Sequence, residues 1–420
     1  MKKSSTETPR PESPRQPVHT VYGGAHLWKA DSTSKLSALA LRALREYAPT
    51  PRDLAEAIGL SVPAGVAPEA FAATIHARVA AKLKYEAIED FRIDFEDGYG
   101  NRPDKEEDVH ARQAASETAH GLEAGTLPPF LGIRIKPLSP ELAKRSLRTL
   151  EIFVTTLVKA TKGALPAHFV VTLPKIKRAG EVRALVKALA ALEKKTGLSV
   201  GSLPIELMVE TTESIFDARG SVALPALVAA ARGRCRGAHF GTYDYTAACD
   251  ITAAHQTMTH PACDFAKNVM QVALAGTGVM LSDGATNVMP IGDRETVYRA
   301  WRLHYGHVRQ SLRQGFYQGW DLHPAQLPTR YAAVYSFFLE GLEPASARLR
   351  NFMGKAAQAT LQGDVFDDAA TGQGLLNFFL RGLSCGAITA DEAERTELTL
   401  DELQTRSFLK ILEGRRKQGH

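Results

Sequence analysis

Short apolar or β-branched runs recur along the chain, each ending in a polar cluster and each followed by a longer stretch of helical periodicity. The runs predict strands at 19–22, 91–95, 131–135, 169–173, 205–209, 238–241, 278–281 and 315–322. Between them, 35–47 (KLSALALRALREY) and 181–195 (EVRALVKALAALEKK) put Leu, Val and Ala on one helical face and Lys, Arg and Glu on the other. Strands alternating with helices predict a parallel sheet with right-handed crossovers. Eight such units over about 320 residues predict an α/β fold, a closed (β/α)8 TIM barrel. A doubly wound open sheet is the alternative, but no G-x-G-x-x-G follows the first strand and no G-x-x-x-x-G-K-[ST] occurs. After about residue 328 the alternation stops, and 331–342, 344–362, 374–382 and 390–413 read as helix with no strand signal. The predicted organisation is a disordered tail at 1–17, a barrel domain at 18–330 and a helical C-terminal extension at 331–420.

Composition narrows the function classes. Of 420 residues, 44% are hydrophobic, which is ordinary for a globular chain and too high for a disordered one. A net charge of +5 spread over this length does not predict nucleic-acid binding, which needs a concentrated basic patch. The four cysteines, Cys235, Cys249, Cys263 and Cys385, form no C-x-x-C and predict reduced thiols. With no apolar leader and no run of about 18 apolar residues, the expectation is a cytoplasmic protein with no membrane partner.

In a parallel barrel, strand C-termini and the loops after them carry the site. The second strand ends in Asp94, Glu96 and Asp97, carboxylates that repel unless a cation or basic side chain compensates. Mg²⁺ is one compensator; a solvated acidic turn paired with Arg92, Arg102 or Lys105 is the other. Arg134 interrupts the third strand, where it either binds a substrate carboxylate bidentately or pairs with the strand-two acids. Lys175 ends the fourth strand. Glu206 and Glu210 share a face of the fifth, and Asp244 follows the sixth. Glu210 and Asp244, from adjacent strands, form an oxygen-only pair of the kind that holds Mg²⁺ or Mn²⁺. His260, in the loop 259–261, and Asp283, at the end of the seventh strand, read either as structural groups or as substrate contacts. No Gly-x-Ser-x-Gly elbow and no nucleophilic Cys context supports hydrolase chemistry through those residues.

In order, IDFED (93–97), IRIK (133–136), LPK (173–175), VET (209–211), GTYDYT (241–246) and LHPAQ (322–326) form a recognisable set. The set resembles the citrate lyase β-subunit-like family of the pyruvate/phosphoenolpyruvate barrel superfamily, which also holds HpcH/HpaI aldolases and malyl-CoA lyases. Lys136 stands where that family has Asn and Tyr245 where it has Leu, and the run 249–293 is unlike its acyl-CoA lyases, which suggests a divergent branch. The resemblance implies a Mg²⁺- or Mn²⁺-dependent carbon–carbon lyase of aldolase type, working through a metal-bound enolate of a small oxo-acid or acyl-CoA ester. It implies Glu210 and Asp244 as metal ligands, Arg134 as the carboxylate-binding and catalytic group, and Glu96 and Asp97 near metal or substrate. Lys175, from the matching LPK strand end, joins them as a catalytic candidate. It also suggests a homo-oligomer, trimer or hexamer. The alternatives are a phosphoryl-transfer or hydrolase member of the same superfamily and a non-catalytic binding protein on an inherited barrel.

Overall fold

The computed structural model describes residues 15–354, 360–362, 365–367, 369–405 and 407–418. Eight parallel strands close into a barrel in chain order. They are β1 His19–Gly24, β2 Asp90–Asp94, β3 Phe130–Arg134, β4 Val170–Leu173, β5 Ile205–Val209, β6 Cys235–Phe240, β7 Met280–Ala285 and β8 Gln318–Asp321. β1 closes the ring against β8 through the pairs His19↔Gly319, Thr20↔Trp320 and Val21↔Asp321. This is the predicted TIM barrel, and the open sheet is excluded by that closure.

Side-chain alternation along each strand divides the core in two. The outward positions are apolar: Ile93, Leu131, Ile133, Val171, Leu173, Leu207 and Val209 are all fully buried beneath the helices. Burying each such side chain contributes roughly 1.5–3 kcal/mol. The helices answer with matching stripes. In Ala143–Ala160, Leu150, Phe153, Val154 and Leu157 fall on one face and are buried. In Ala179–Thr196, Val182, Leu185, Val186, Leu189 and Leu192 do the same.

The inward positions are polar. Arg92, 1% exposed, sits inside the barrel. Its guanidinium meets Glu206 at 2.6 Å, Thr172 at 3.2 Å and Asp90 in a close ion pair. Thr20 donates to Asp90 at 2.8 Å, and His239 Nε2 lies 3.2 Å from Glu206. Burial pushes the Glu206 carboxyl up, but Arg92 and His239 outweigh it and hold it below the usual range. Arg92 is therefore no solvated partner of the acidic turn after β2. It is the interior's central counter-charge, and each of its guanidinium nitrogens meets an oxygen of a neighbouring group.

Outside the strands, helix Arg294–Arg313 buries His304 and His307. His307 Nδ1 lies 2.9 Å from the Thr286 hydroxyl. Burial, assisted by the neighbouring His304, pushes the His307 imidazole down to about 4. The unfolded chain would bind this proton near 6.5. Between those values the unfolded state holds more protons than the native one, so the His307 contribution to stability is lost as pH falls. Acidification from pH 7 to 4 should remove up to about 3 kcal/mol through this group. Denaturant midpoints at pH 4.5 and 7 should differ less in His307→Gln than in the wild type. Equal differences would contradict the assignment.

Residues Pro17–Val334 make the barrel unit, and the chain from Tyr335 onward makes a second compact unit. The second holds the rest of helix Leu327–Gly354 and helices Ala369–Ser384, Ala390–Ala393, Leu400–Gln404 and Phe408–Gln418. It also holds an antiparallel ribbon, β9 Thr360–Gln362 with β10 Val365–Asp367, where only helix was expected. Phe352 stacks on Phe408 at 5.0 Å between ring centres. Of the expected N-terminal tail, residues 1–14 lie outside the described residues. Gln16 is not part of a free tail: it is buried, and Arg381 donates to its side chain at 2.5 Å. The four cysteines are free thiols. Among the described residues no helix is long and apolar enough to cross a membrane.

Candidate active site

At the C-terminal mouth of the barrel, acids and bases from five consecutive strand ends, β2 to β6, meet. β2 ends in Asp94, whose carboxylate accepts the backbone N–H of Glu96 at 3.0 Å and of Gly98 at 2.8 Å. That turn fixes where Glu96 and Asp97 project. β3 delivers Arg134, only 4% exposed. Its Nε and Nη2 grip Asp94 bidentately at 2.7 and 2.5 Å, and its Nη1 lies 3.0 Å from Glu96. The guanidinium stands over the Tyr22 ring at 4.8 Å and the Trp320 ring at 5.7 Å. Those two rings touch each other, with centres 4.3 Å apart. Of the two candidate roles for Arg134, the pairing with the strand-two acids is the one seen here.

β4 delivers Lys175. Its Nζ is in close contact with Glu96, 3.0 Å from Asp97 and 3.5 Å from Asp244. Its backbone N–H donates to Glu210 at 2.7 Å. Burial works against its charge, but Glu96 and its neighbours outweigh it and hold the ammonium well above the usual lysine range.

β5 delivers Glu210, 2% exposed, and Asp244 stands in the first turn of helix Thr242–Ala248 after β6. The two strands can bring these carboxylates together because residue 241 is Gly. A Cβ there would sit 2.5 Å from Glu210 Oε2. Burial, and then the Asp244 charge beside it, push the Glu210 carboxyl up to about 8. Burial likewise raises Glu96 above its usual range, and the opposing charge of Arg134 does not fully offset it. Lys175 outweighs burial at Asp97 and holds it low.

Six sequence candidates therefore converge: Glu96, Asp97, Arg134, Lys175, Glu210 and Asp244. Two take other places. Asp283 is fully buried on β7, bonded to Lys267 at 3.1 Å and Ser311 at 2.6 Å. It faces the helices Pro261–Leu274 and Arg294–Arg313 that carry those partners, not the mouth. His260 caps helix Pro261–Leu274, its Nδ1 accepting the Ala262 N–H at 3.1 Å. Tyr22 and Trp320 were missed. The signal was their inward parity on β1 and β8, which place both beside Arg134.

Among the described residues no three His, Cys, Asp or Glu side chains are arranged as a metal cage. Glu210 and Asp244 are instead an oxygen-only pair whose mutual repulsion a shared cation would relieve. That fits Mg²⁺, which commonly takes one or two carboxylates and completes its shell with water and substrate oxygens.

One solved structure shares the architecture. A citrate lyase from Burkholderia xenovorans LB400 aligns with a TM-score of 0.58 at 20% identity, over 81% of this chain and 97% of its own. A native Haloferax volcanii malate synthase gives 0.48 at 14% identity over 93% and 96%. The magnesium/glyoxylate complex of that synthase gives 0.48 at 15% over 90% and 97%. At 20% identity the citrate lyase likeness is one of fold. No curated protein sequence matches the chain. The model of the DUF6986 family, a domain of unknown function, matches residues 2–411, and the chain belongs to that family.

Proposed function

We propose that this barrel is a carbon–carbon lyase, or the corresponding synthase, acting on a small 2-oxo acid or its ester with a divalent cation held by Glu210 and Asp244. The observation that carries the reading is the juxtaposition, at one barrel mouth, of a buried arginine and a crowded carboxylate pair bridged by Lys175.

Arg134 binds the substrate carboxylate. Asp94 fixes two of its nitrogens, so the guanidinium plane is set before substrate arrives, and the Nη1 edge now facing Glu96 is offered to the ligand. The same positive charge steadies the enolate that carbon–carbon cleavage leaves behind. A cation between Glu210 and Asp244 would supply Lewis-acid polarisation of the oxo-acid carbonyl. Glu96, raised by burial and lying against both Arg134 and Lys175, is the carboxylate placed to accept the hydroxyl proton in the cleavage direction. Tyr22 and Trp320 wall the guanidinium on its other side and keep water from it. The family likeness in sequence motifs and the citrate lyase likeness in fold support the same reaction class.

The test is a metal-dependent screen of small 2-oxo acids and acyl-CoA esters, following consumption or release of the oxo acid. Activity should need Mg²⁺ or Mn²⁺, and Arg134→Lys should lower kcat/KM about 100-fold, because a point charge cannot replace the fork. Release of phosphate without an oxo acid, or full activity in Arg134→Lys, would overturn the reading.

A further inference from the structure

Lys175 does more than close the fourth strand. It is a non-glycine residue in the left-handed backbone region, with φ of 49°. That region costs an L-residue energy and persists only where the surroundings impose it. Its consequence here is a double reach. The main-chain N–H turns to Glu210, and the side chain extends across the mouth to Glu96, Asp97 and Asp244. The ammonium thus touches carboxylates from two other strand ends, and the residue contacts both members of the pair assigned to the metal, Asp244 through Nζ and Glu210 through its main-chain N–H.

We propose that Lys175 is a resident counter-cation that competes with the divalent metal: it neutralises Asp244 in the metal-free site and must withdraw toward Glu96 and Asp97 for the metal to load. The inference rests on the reading of Glu210 and Asp244 as metal ligands. Three features support it. The contact to Asp244, at 3.5 Å, is the longest of the three and the one most readily given up. The side chains of Lys175 and Asp244 are 28% and 42% exposed, so the ammonium has open space in which to swing. A divalent ion and an ammonium cannot share Asp244 without close like-charge repulsion. The retained contacts to Glu96 and Asp97 would keep the lysine at the mouth, so loading the metal rearranges it without expelling it.

The sign of one substitution separates this role from simple support. Were Lys175 only a strut holding the acids in position, its removal would loosen the pair and weaken metal binding. As a competitor, its removal strengthens binding. The experiment is direct Mn²⁺ titration of the purified full chain, read by the loss of free-ion electron paramagnetic resonance signal. Lys175→Met should bind Mn²⁺ at least 10-fold more tightly than wild type, and Lys175→Arg, which keeps the charge, should stay within about threefold of it. Lys175→Gln provides a second neutral variant should Met prove poorly folded by circular dichroism. Unchanged or weaker binding in the folded neutral variants would overturn the competition. Failure of every form to bind Mn²⁺, or undiminished binding in Asp244→Asn, would overturn the metal assignment itself.

Discussion

Glu210→Gln should abolish divalent-cation binding and lower activity at least 1,000-fold while leaving the barrel folded. Glu210 is 2% exposed, and its charge is disfavoured first by burial and then by Asp244. A glutamine is nearly isosteric, and its oxygen can still accept the Lys175 N–H that now reaches the carboxylate. What the substitution removes is the negative charge, and with it one of the two oxygen donors that a hard cation would take. The metal-free variant should be as stable as the wild type or slightly more so, since the cost of keeping a carboxyl unionised in this buried position is gone. The difference emerges on adding metal. A ligand that binds only the native state stabilises it by about 2.7 kcal/mol at 100 times its Kd. Thermal unfolding with and without saturating Mg²⁺ should show that rise in the wild type and none in Glu210→Gln. An equal rise in both would remove Glu210 from the site.

Asp321→Ala should cost the largest stability loss available at a single position outside the mouth, about 3–5 kcal/mol. Asp321 ends β8 facing outward and is wholly buried. It receives His19 at 2.8 Å, His304 at 2.9 Å and the Arg330 guanidinium at 2.9 Å. Burial would raise its carboxyl, but Arg330 and the histidines reverse that and hold it far below the usual range. Truncation leaves Arg330 buried with its principal carboxylate gone and two imidazoles without their acceptor. Asp321 also staples the barrel's closing seam, because His19 lies on β1 and Asp321 on β8. The denaturant midpoint of Asp321→Ala should fall accordingly, with Asp321→Asn intermediate. A wild-type midpoint in the alanine variant would mean that this network adds nothing net.

The barrel was legible in the sequence because outward strand positions are short apolar runs, and each of the eight predicted runs overlaps an observed strand. The polar interior was harder to read. Arg92 looks in sequence like a solvated charge, and only the curvature of the barrel brings it from β2 to Glu206 on β5, past the two strands between them. β7 was placed too early. Gly278 adopts φ of 77°, so the chain is still turning where the strand was predicted to begin. The strand then runs through Asp283 and carries it to the outer, helix-facing side. The ribbon β9–β10 has only three residues in each strand, too few to leave an alternation that sequence could reveal. At the mouth the acids and bases were found one strand at a time, but their mutual contacts were not. Whether Arg134 pairs with Asp94, and whether Lys175 reaches Asp244, depends on register between neighbouring strands.

Hydrogen–deuterium exchange at the C3 position of pyruvate and 2-oxobutyrate, followed by proton NMR in D₂O, tests the central claim most directly. It reads enolate formation without needing the full carbon–carbon substrate. Exchange should require the protein, require Mg²⁺ or Mn²⁺, and be lost in Glu210→Gln and Arg134→Met. Exchange that persists in EDTA and in both variants would contradict a metal-assisted enolate at this mouth.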